Sequence, residues 1–315
     1  VPSPTSPLIA SGRRSLPVAC PILLGLVLAT FAIPGQRALA AETAVVEVAY
    51  AGSMGPLMEG PIRRGMLEAL GLQLHGRGQG ALALAHLIVG GAIRPDVFIA
   101  VTPGPMRLVL RAGQAARAWP IARTEMVLAY NPQSRYAKAL LMRPWWQVLE
   151  SPGLRLGRSD PLTDPLGLNT LYLMDLAQRL YAQPDLSRRI LGSALNSRQI
   201  FAEPELMARL QAGQLDAAFA YRTQPAPFHL PFIELPARIN LGQASMETQY
   251  DQVSVSLAGK ISRPQPLVFY AAALRNGAHR AQGERLVAWL RSSQAQALFK
   301  LASYNSPGAS APLTP

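Results

Sequence analysis

A chain of 315 residues that is 49% hydrophobic and only 15% charged has the composition of a folded protein and excludes a disordered one. Its length allows one large domain or two lobes, each with its own core. The formal net charge is +12, but the basic residues are dispersed in runs of at most two, without interleaved aromatics. That argues against a nucleic-acid surface and for a solvated one with a general bias toward anions.

Residues 1–40 read as an export signal. Arg13 and Arg14 form a positive start, Pro17 to Ile33 is an uncharged apolar run, and Ala38-Leu39-Ala40 fits a small-x-small cleavage site. A membrane anchor is the alternative, but a run of about 17 residues is at the lower edge of spanning length and contains Pro21. The Arg13-Arg14 pair is weakly similar to a twin-arginine signal, so the export route stays open. Loss of this segment takes Arg13, Arg14 and Arg37 from the 30 basic residues, leaving 27 against 18 acidic ones, a balance of +9. It also removes Cys20, the single cysteine, so the exported chain would hold no disulfide.

The mature chain then alternates strands and helices. Val45 to Ala49 reads as a buried strand running into Ala51-Gly52-Ser53 and a helix over Pro56 to Leu70, ended by Gly71. Ser53 sits where a helix N-cap is expected. Leu72 to His75 is a second strand, followed by a glycine-rich turn, Gly76-Arg77-Gly78-Gln79-Gly80, and a helix over Ala81 to Val89. Asp96 to Val101 is a third strand, with Thr102-Pro103 opening another helix. Ile121 to Tyr130 reads as one long strand crossing into a second lobe. There the strand Leu154 to Gly157 feeds a loop that carries Asp164 and opens a long helix to Tyr181. Further strands are Asp216 to Arg222 and Phe232 to Leu235. Val253 to Leu257 and Leu267 to Leu274 return to the first lobe, helices finish the chain, and 306–315 reads as a loose tail. Strands alternating with helices imply mostly parallel sheets flanked by helices, with ligands at the carboxyl ends of strands.

Several short stretches carry a family resemblance. They are Tyr50-Ala51-Gly52-Ser53, Arg94 to Phe98, Glu125 to Tyr130, Asp164-Pro165-Leu166-Gly167, Phe219 to Arg222, and Phe232 to Pro236 with Ile239-Asn240-Leu241. In that order the chain resembles the periplasmic tungstate/molybdate-binding proteins of ABC importers, in their archaeal-type branch, over roughly Val45 to Pro312. The resemblance implies an α/β two-lobed periplasmic-binding-protein fold. Lobe 1 would span 41–125 plus 250–305, and lobe 2 would span 126–249. One tungstate or molybdate oxyanion would lie in the cleft between them. It also implies a periplasmic monomer that serves a membrane permease, without catalysis, cofactor or nucleic acid.

By position, Gly52 and Ser53 match the first oxyanion contact, and Gly78 with Gln79 the second, where the family usually has Gly-Ser. Asp164, Pro165 and Leu166 match the second-lobe loop, whose Asp approaches the metal of the oxyanion and whose next residues offer backbone N–H groups. Ala220 falls where the archaeal-type proteins carry a second metal-approaching glutamate. Tyr221 and Arg222 follow it. The missing carboxylate favours a four-coordinate oxyanion, or another small anion or polar organic solute.

The residues themselves leave roles open. Asp164, facing a dianion, must coordinate the metal, be protonated or turn away to cap its helix. Arg222 can pair with Asp164, with the ligand or structurally. The histidines at 75, 86, 229 and 279 lack metal-ligand spacing. A secreted hydrolase using Asp164 on the same frame is the alternative from another class.

Overall fold

A computed structural model describes residues 44–315. The expected export signal lies outside the described residues. The strands are β1 (Ala44–Ala51), β2 (Leu72–Gln79), β3 (Val97–Val101), β4 (Trp119–Arg123), β5 (Met126–Tyr130), β6 (Leu156–Gly157), β7 (Ala217–Tyr221), β8 (Phe232–Glu234), β9 (Val255–Leu257), β10 (Lys260–Ser262) and β11 (Val268–Ala273).

They form a five-stranded sheet in the order β2-β1-β3-β11-β4, a four-stranded sheet in the order β6-β7-β5-β8, and a β9-β10 hairpin. In the first sheet β11 alone runs against the others. In the second sheet β5 alone does so, and its one parallel ladder, β6 with β7, is two residue pairs long. Both sheets are therefore mixed. The long strand expected over 121–130 is two strands in different sheets, parted at Thr124-Glu125. The backbone N–H of Thr124 bonds to Leu267 O at 3.1 Å, that of Met126 to Asn240 O at 2.8 Å, and that of Leu267 to Leu241 O at 2.9 Å. The crossing segments are thus laced to each other.

The first core lies around β3, all five of whose residues are buried. Val97, Phe98, Ile99 and Val101 each contribute about 1.5–3 kcal/mol by leaving water. Asp96, just before β3, is also buried, and its carboxylate accepts from the backbone N–H groups of Glu47 at 2.9 Å and His279 at 2.6 Å. It joins β1 to the start of the Arg280–Leu290 helix. In the second sheet all of β5 and β7 are buried, and the Pro165–Leu180 helix packs on β7.

Two local expectations change. The glycine-rich stretch after His75 is strand, not turn, paired along its length with β1 as far as Ala51 opposite Gln79. The glycines make room for side chains packed over the ladder: a Cβ at Gly76 would run into the Glu59 carboxylate and stand 2.9 Å from the Tyr50 ring, and one at Gly78 would stand 2.8 Å from that ring. Glycine there lets the ring lie flat over the ladder. The helix after β1 is also broken, running through a 3-10 turn (Gly52–Met54), an α turn (Gly55–Leu57) and a π turn (Met58–Ile62) before Arg63–Leu70. Pro61 lies inside the π turn, where its missing N–H and its ring prevent regular α bonding. The tail expected to be loose is tied down. Ala118 and Leu313 exchange backbone bonds at 2.9 Å, and Arg123 Nε donates to Ser306 O at 2.8 Å.

Candidate functional site

The ends of β1 and β2 meet the loops of the second sheet at a buried polar knot. Ser53 follows β1 inside the 3-10 turn. It is not the N-cap, a place taken by Ala51, and its buried hydroxyl has no hydrogen-bond partner. Glycine at 52 is what lets the second half come close. A Cβ there would stand 2.9 Å from Glu203 Oε2 and 3.0 Å from Pro204 Cγ. A similar approach occurs at Gly80, whose Cβ would stand 2.7 Å from Thr163 O, and the N–H of Ala83 bonds to that oxygen at 3.0 Å.

Asp164 both caps its helix and faces inward. Its Oδ1 accepts from the Leu166 N–H at 2.7 Å, while Oδ2 is buried without a partner. Pro165 suits the first helical position, where no N–H is needed. The Leu166 N–H, expected to face the ligand, is therefore occupied by the cap. Glu203 is the carboxylate that sequence reasoning missed. It opens a short 3-10 turn, Glu203–Glu205, is buried, and leaves Oε1 without a partner. Its only sequence signal was an acidic residue before Pro204 at a helix start, a pattern that ordinary capping explains equally well.

The electrostatics of this knot are unusual. Burial, and then the charge of Asp164, push the Glu203 carboxyl well above the usual range. Burial pushes Asp164 up to about 6, while the neighbouring Glu203 carboxyl, the Leu166 N–H and Ser159 pull it back. The two acids thus form one coupled pair in which ionisation of Glu203 is the more disfavoured. Tyr221 lies against the same pair, and burial first, then the two acids, raise its hydroxyl well above its usual value. The Asn169 amide donates to the Tyr221 oxygen at 3.1 Å, which leaves the phenolic proton for another acceptor. The buried hydroxyls of Ser159 and Thr223 lie beside Asp164 and Tyr304, in neither case with a well-formed hydrogen bond.

A cleft of ≈ 930 Å³ opens beside the knot, lined by Gly78, Gln79, Ser159, Asp164 and Glu203 among others. Ser53 and Thr223 line a separate cavity of ≈ 240 Å³. Of the expected residues, Gly78, Gln79 and Asp164 line the cleft and Ser53 the smaller cavity, Gly52 and Tyr221 lie against Glu203, and Pro165 and Leu166 open the helix that Asp164 caps. Ala220 and Arg222 are not among the residues lining this cleft. Ala220 is buried in β7 opposite Val127. The Arg222 guanidinium is bound to Glu125 at 2.8 Å and Glu234 at 2.7 Å, a structural pairing at the sheet edge. Among the described residues no group of three or more His, Cys, Asp or Glu could hold a metal ion.

Two mixed sheets, joined by laced crossings and meeting at a polar cleft, define a two-lobed α/β binding protein. The chain belongs to the bacterial extracellular solute-binding protein family, whose model matches residues 46–304. It is 30% identical over 206 residues, 65% of each chain, to a putative ABC transporter molybdenum-binding protein of Haloferax volcanii. It is 27% identical over 202 residues to the molybdate/tungstate-binding protein WtpA of Pyrococcus abyssi, covering 57% of this chain and 59% of that one. The chain thus matches only about three-fifths of the length of these relatives. In fold it is similar to the periplasmic molybdate-binding protein of Azotobacter vinelandii, with a TM-score of 0.54 at 17% identity over 82% of this chain and 98% of that one.

Proposed function

We propose that this protein captures molybdate or tungstate outside the cytoplasm and delivers it to the permease of an ABC importer. It would be exported by its N-terminal signal, act as a monomer, and divide into lobes near 125/126 and 249/250. The observation that carries this reading is the buried pair of acids, Asp164 and Glu203, which lie against each other with no cation bound to either among the described residues. Once ionised, two such carboxylates repel a simple anion. They suit an oxyanion whose high-valent metal accepts further oxygen ligands, while hydroxyls such as Ser53 donate to its oxygens. Glu203 then supplies, from a loop, the second carboxylate that the resemblance places at 220. The carboxylates differ in reach, and a six-coordinate metal becomes the expected state.

Calorimetric titration with tungstate, molybdate and sulfate tests this. Tungstate should bind with a Kd below about 1 μM. Sulfate, whose sulfur takes no further ligands, should bind at least about 100-fold more weakly. The preference should collapse in Glu203→Gln. Equal affinity for sulfate, or a preference unchanged in Glu203→Gln, would refute the metal contact. The ≈ 930 Å³ cleft supports a second reading, because it is wide enough for a polar organic solute. Absence of heat with every oxyanion would favour it, whereas ester or phosphate turnover abolished in Asp164→Asn would point to a hydrolase.

A further inference from the structure

We propose that a basic pocket at the β4 edge of the first sheet is a second anion site, separate from the cleft, that takes a phosphate group. The pocket has a volume of ≈ 210 Å³ and is lined by Arg117, Trp119, Arg275, Arg280, Glu284 and Arg291. It shares no residue with the cleft that holds Asp164 and Glu203.

Four guanidinium groups meet a single carboxylate here. Arg280 is bound to Glu284 at 2.9 Å. Arg117, Arg275 and Arg291 have no acidic partner among the described residues. Like charges drawn into one hollow repel, and an anion relieves that repulsion. Two of the free guanidiniums are already positioned by Trp119. Arg291 stands 3.8 Å and Arg117 5.1 Å from the ring centroid. Cation–π contact holds a guanidinium plane in place while leaving its edge N–H groups free, so less side-chain freedom is lost on binding.

The guest should be compact and rich in acceptors. A phosphate group offers more acceptor oxygens than a carboxylate and can bridge several guanidinium forks at once. The hollow is smaller than a site for an extended organic ligand. An acidic peptide would need a longer groove. The phosphate can be free in solution or belong to a lipid headgroup, and the two are distinguished below.

The test uses the whole exported chain and the double variant Arg275→Glu, Arg291→Glu. Both side chains are exposed, so the fold should survive, and unchanged tungstate titration of the cleft checks this. Trp119 fluorescence is followed with inorganic phosphate, using Trp119→Phe to assign the signal. In parallel, binding to phosphatidylglycerol and phosphatidylcholine vesicles is measured. Saturable phosphate binding without vesicle binding supports a free-phosphate site. Binding to the anionic vesicles alone supports a headgroup site. Either affinity should fall by about tenfold or more in the double variant and weaken with added salt. The proposal is overturned if neither phosphate nor anionic vesicles bind, or if binding is unchanged in the double variant.

Discussion

Asp164→Asn separates what the site does for binding from what it does to the fold. The amide keeps an oxygen to cap the Leu166 N–H, held now at 2.7 Å, and offers an N–H₂ to the neighbouring Glu203 carboxyl. What is lost is a buried charge. A carboxyl carried from 3.8 to about 6 has its ionised form disfavoured by about 3 kcal/mol in the native state. Between those values the native protein binds more protons than the unfolded chain, so stability falls as pH rises through the window and stays low above it. Removing the charge should recover that amount above pH 7, less about 0.3–1 kcal/mol for a carboxylate lost from a helix N-terminus. A net gain of about 2 kcal/mol corresponds to roughly 4–8 °C in Tm for a chain of this size. By pH 4 the gain should shrink below about 1 kcal/mol. Scanning calorimetry of the ligand-free variant at pH 8 and pH 4 measures it, alongside tungstate titration, which should show affinity reduced on the order of 100-fold. A variant less stable than the parent at pH 8, or equally stabilised at both values, would sink the reasoning.

Burial and the Asp164 charge raise the Glu203 carboxyl, which costs stability as pH climbs above the ordinary carboxylate range, so Glu203→Gln should stabilise the protein more at pH 8 than at pH 4, as urea titrations at the two values would show. Ser53→Ala removes a buried hydroxyl that lies beside Glu203 without a well-formed hydrogen bond. Its unfolding free energy should therefore move by less than about 1 kcal/mol, while tungstate affinity falls roughly tenfold or more in calorimetry. Gly78→Val drives a side chain into the Tyr50 ring, 2.8 Å from where its Cβ must go. That overpacking should cost about 1–3 kcal/mol, read as a lower midpoint in thermal unfolding.

Much of the frame was legible because it rests on local pattern. The all-apolar run of β3, the glycine closing the first long helix (Gly71, φ 63°) and the Asp164-Pro165 helix start follow from burial and backbone chemistry. What was not legible depends on partners distant in the chain. The strand at Gly76–Gln79 reads as a turn until the Tyr50 ring is placed beside it. Likewise, the break at Thr124-Glu125 has no turn residues. It is set by bonds to Asn240 and Leu267, more than a hundred residues away. Ser53 occupies a cap-like position, yet its hydroxyl bonds to no backbone N–H, because the chain enters a 3-10 turn one residue earlier. In each case tertiary contact overrode a local preference.

Glu203 is the clearest instance, and the way it is held explains how a loop can do a strand's work. A carboxylate at 220 would be fixed by the β7 ladder. One at 203 needs its loop fixed by other means, and Arg158 does this. The backbone of Arg158 bonds to Gln199 O at 2.8 Å and receives the Phe201 N–H at 3.0 Å. Its wholly buried side chain donates to Gln199 Oε1 at 3.2 Å and Ser193 O at 2.9 Å. Burial lowers this guanidinium to about 10, so it keeps its charge at neutral pH. It is neutralised by no direct ion pair among the described residues, an arrangement that is costly for a structural arginine. On the proposed reading the 199–203 segment must be rigid, since a metal-approaching carboxylate at 203 displaced by even an ångström would lose its contact. On that reading the second acid comes from a loop and not from the sheet, and the rigidity that a sheet would provide comes from a buried cation instead.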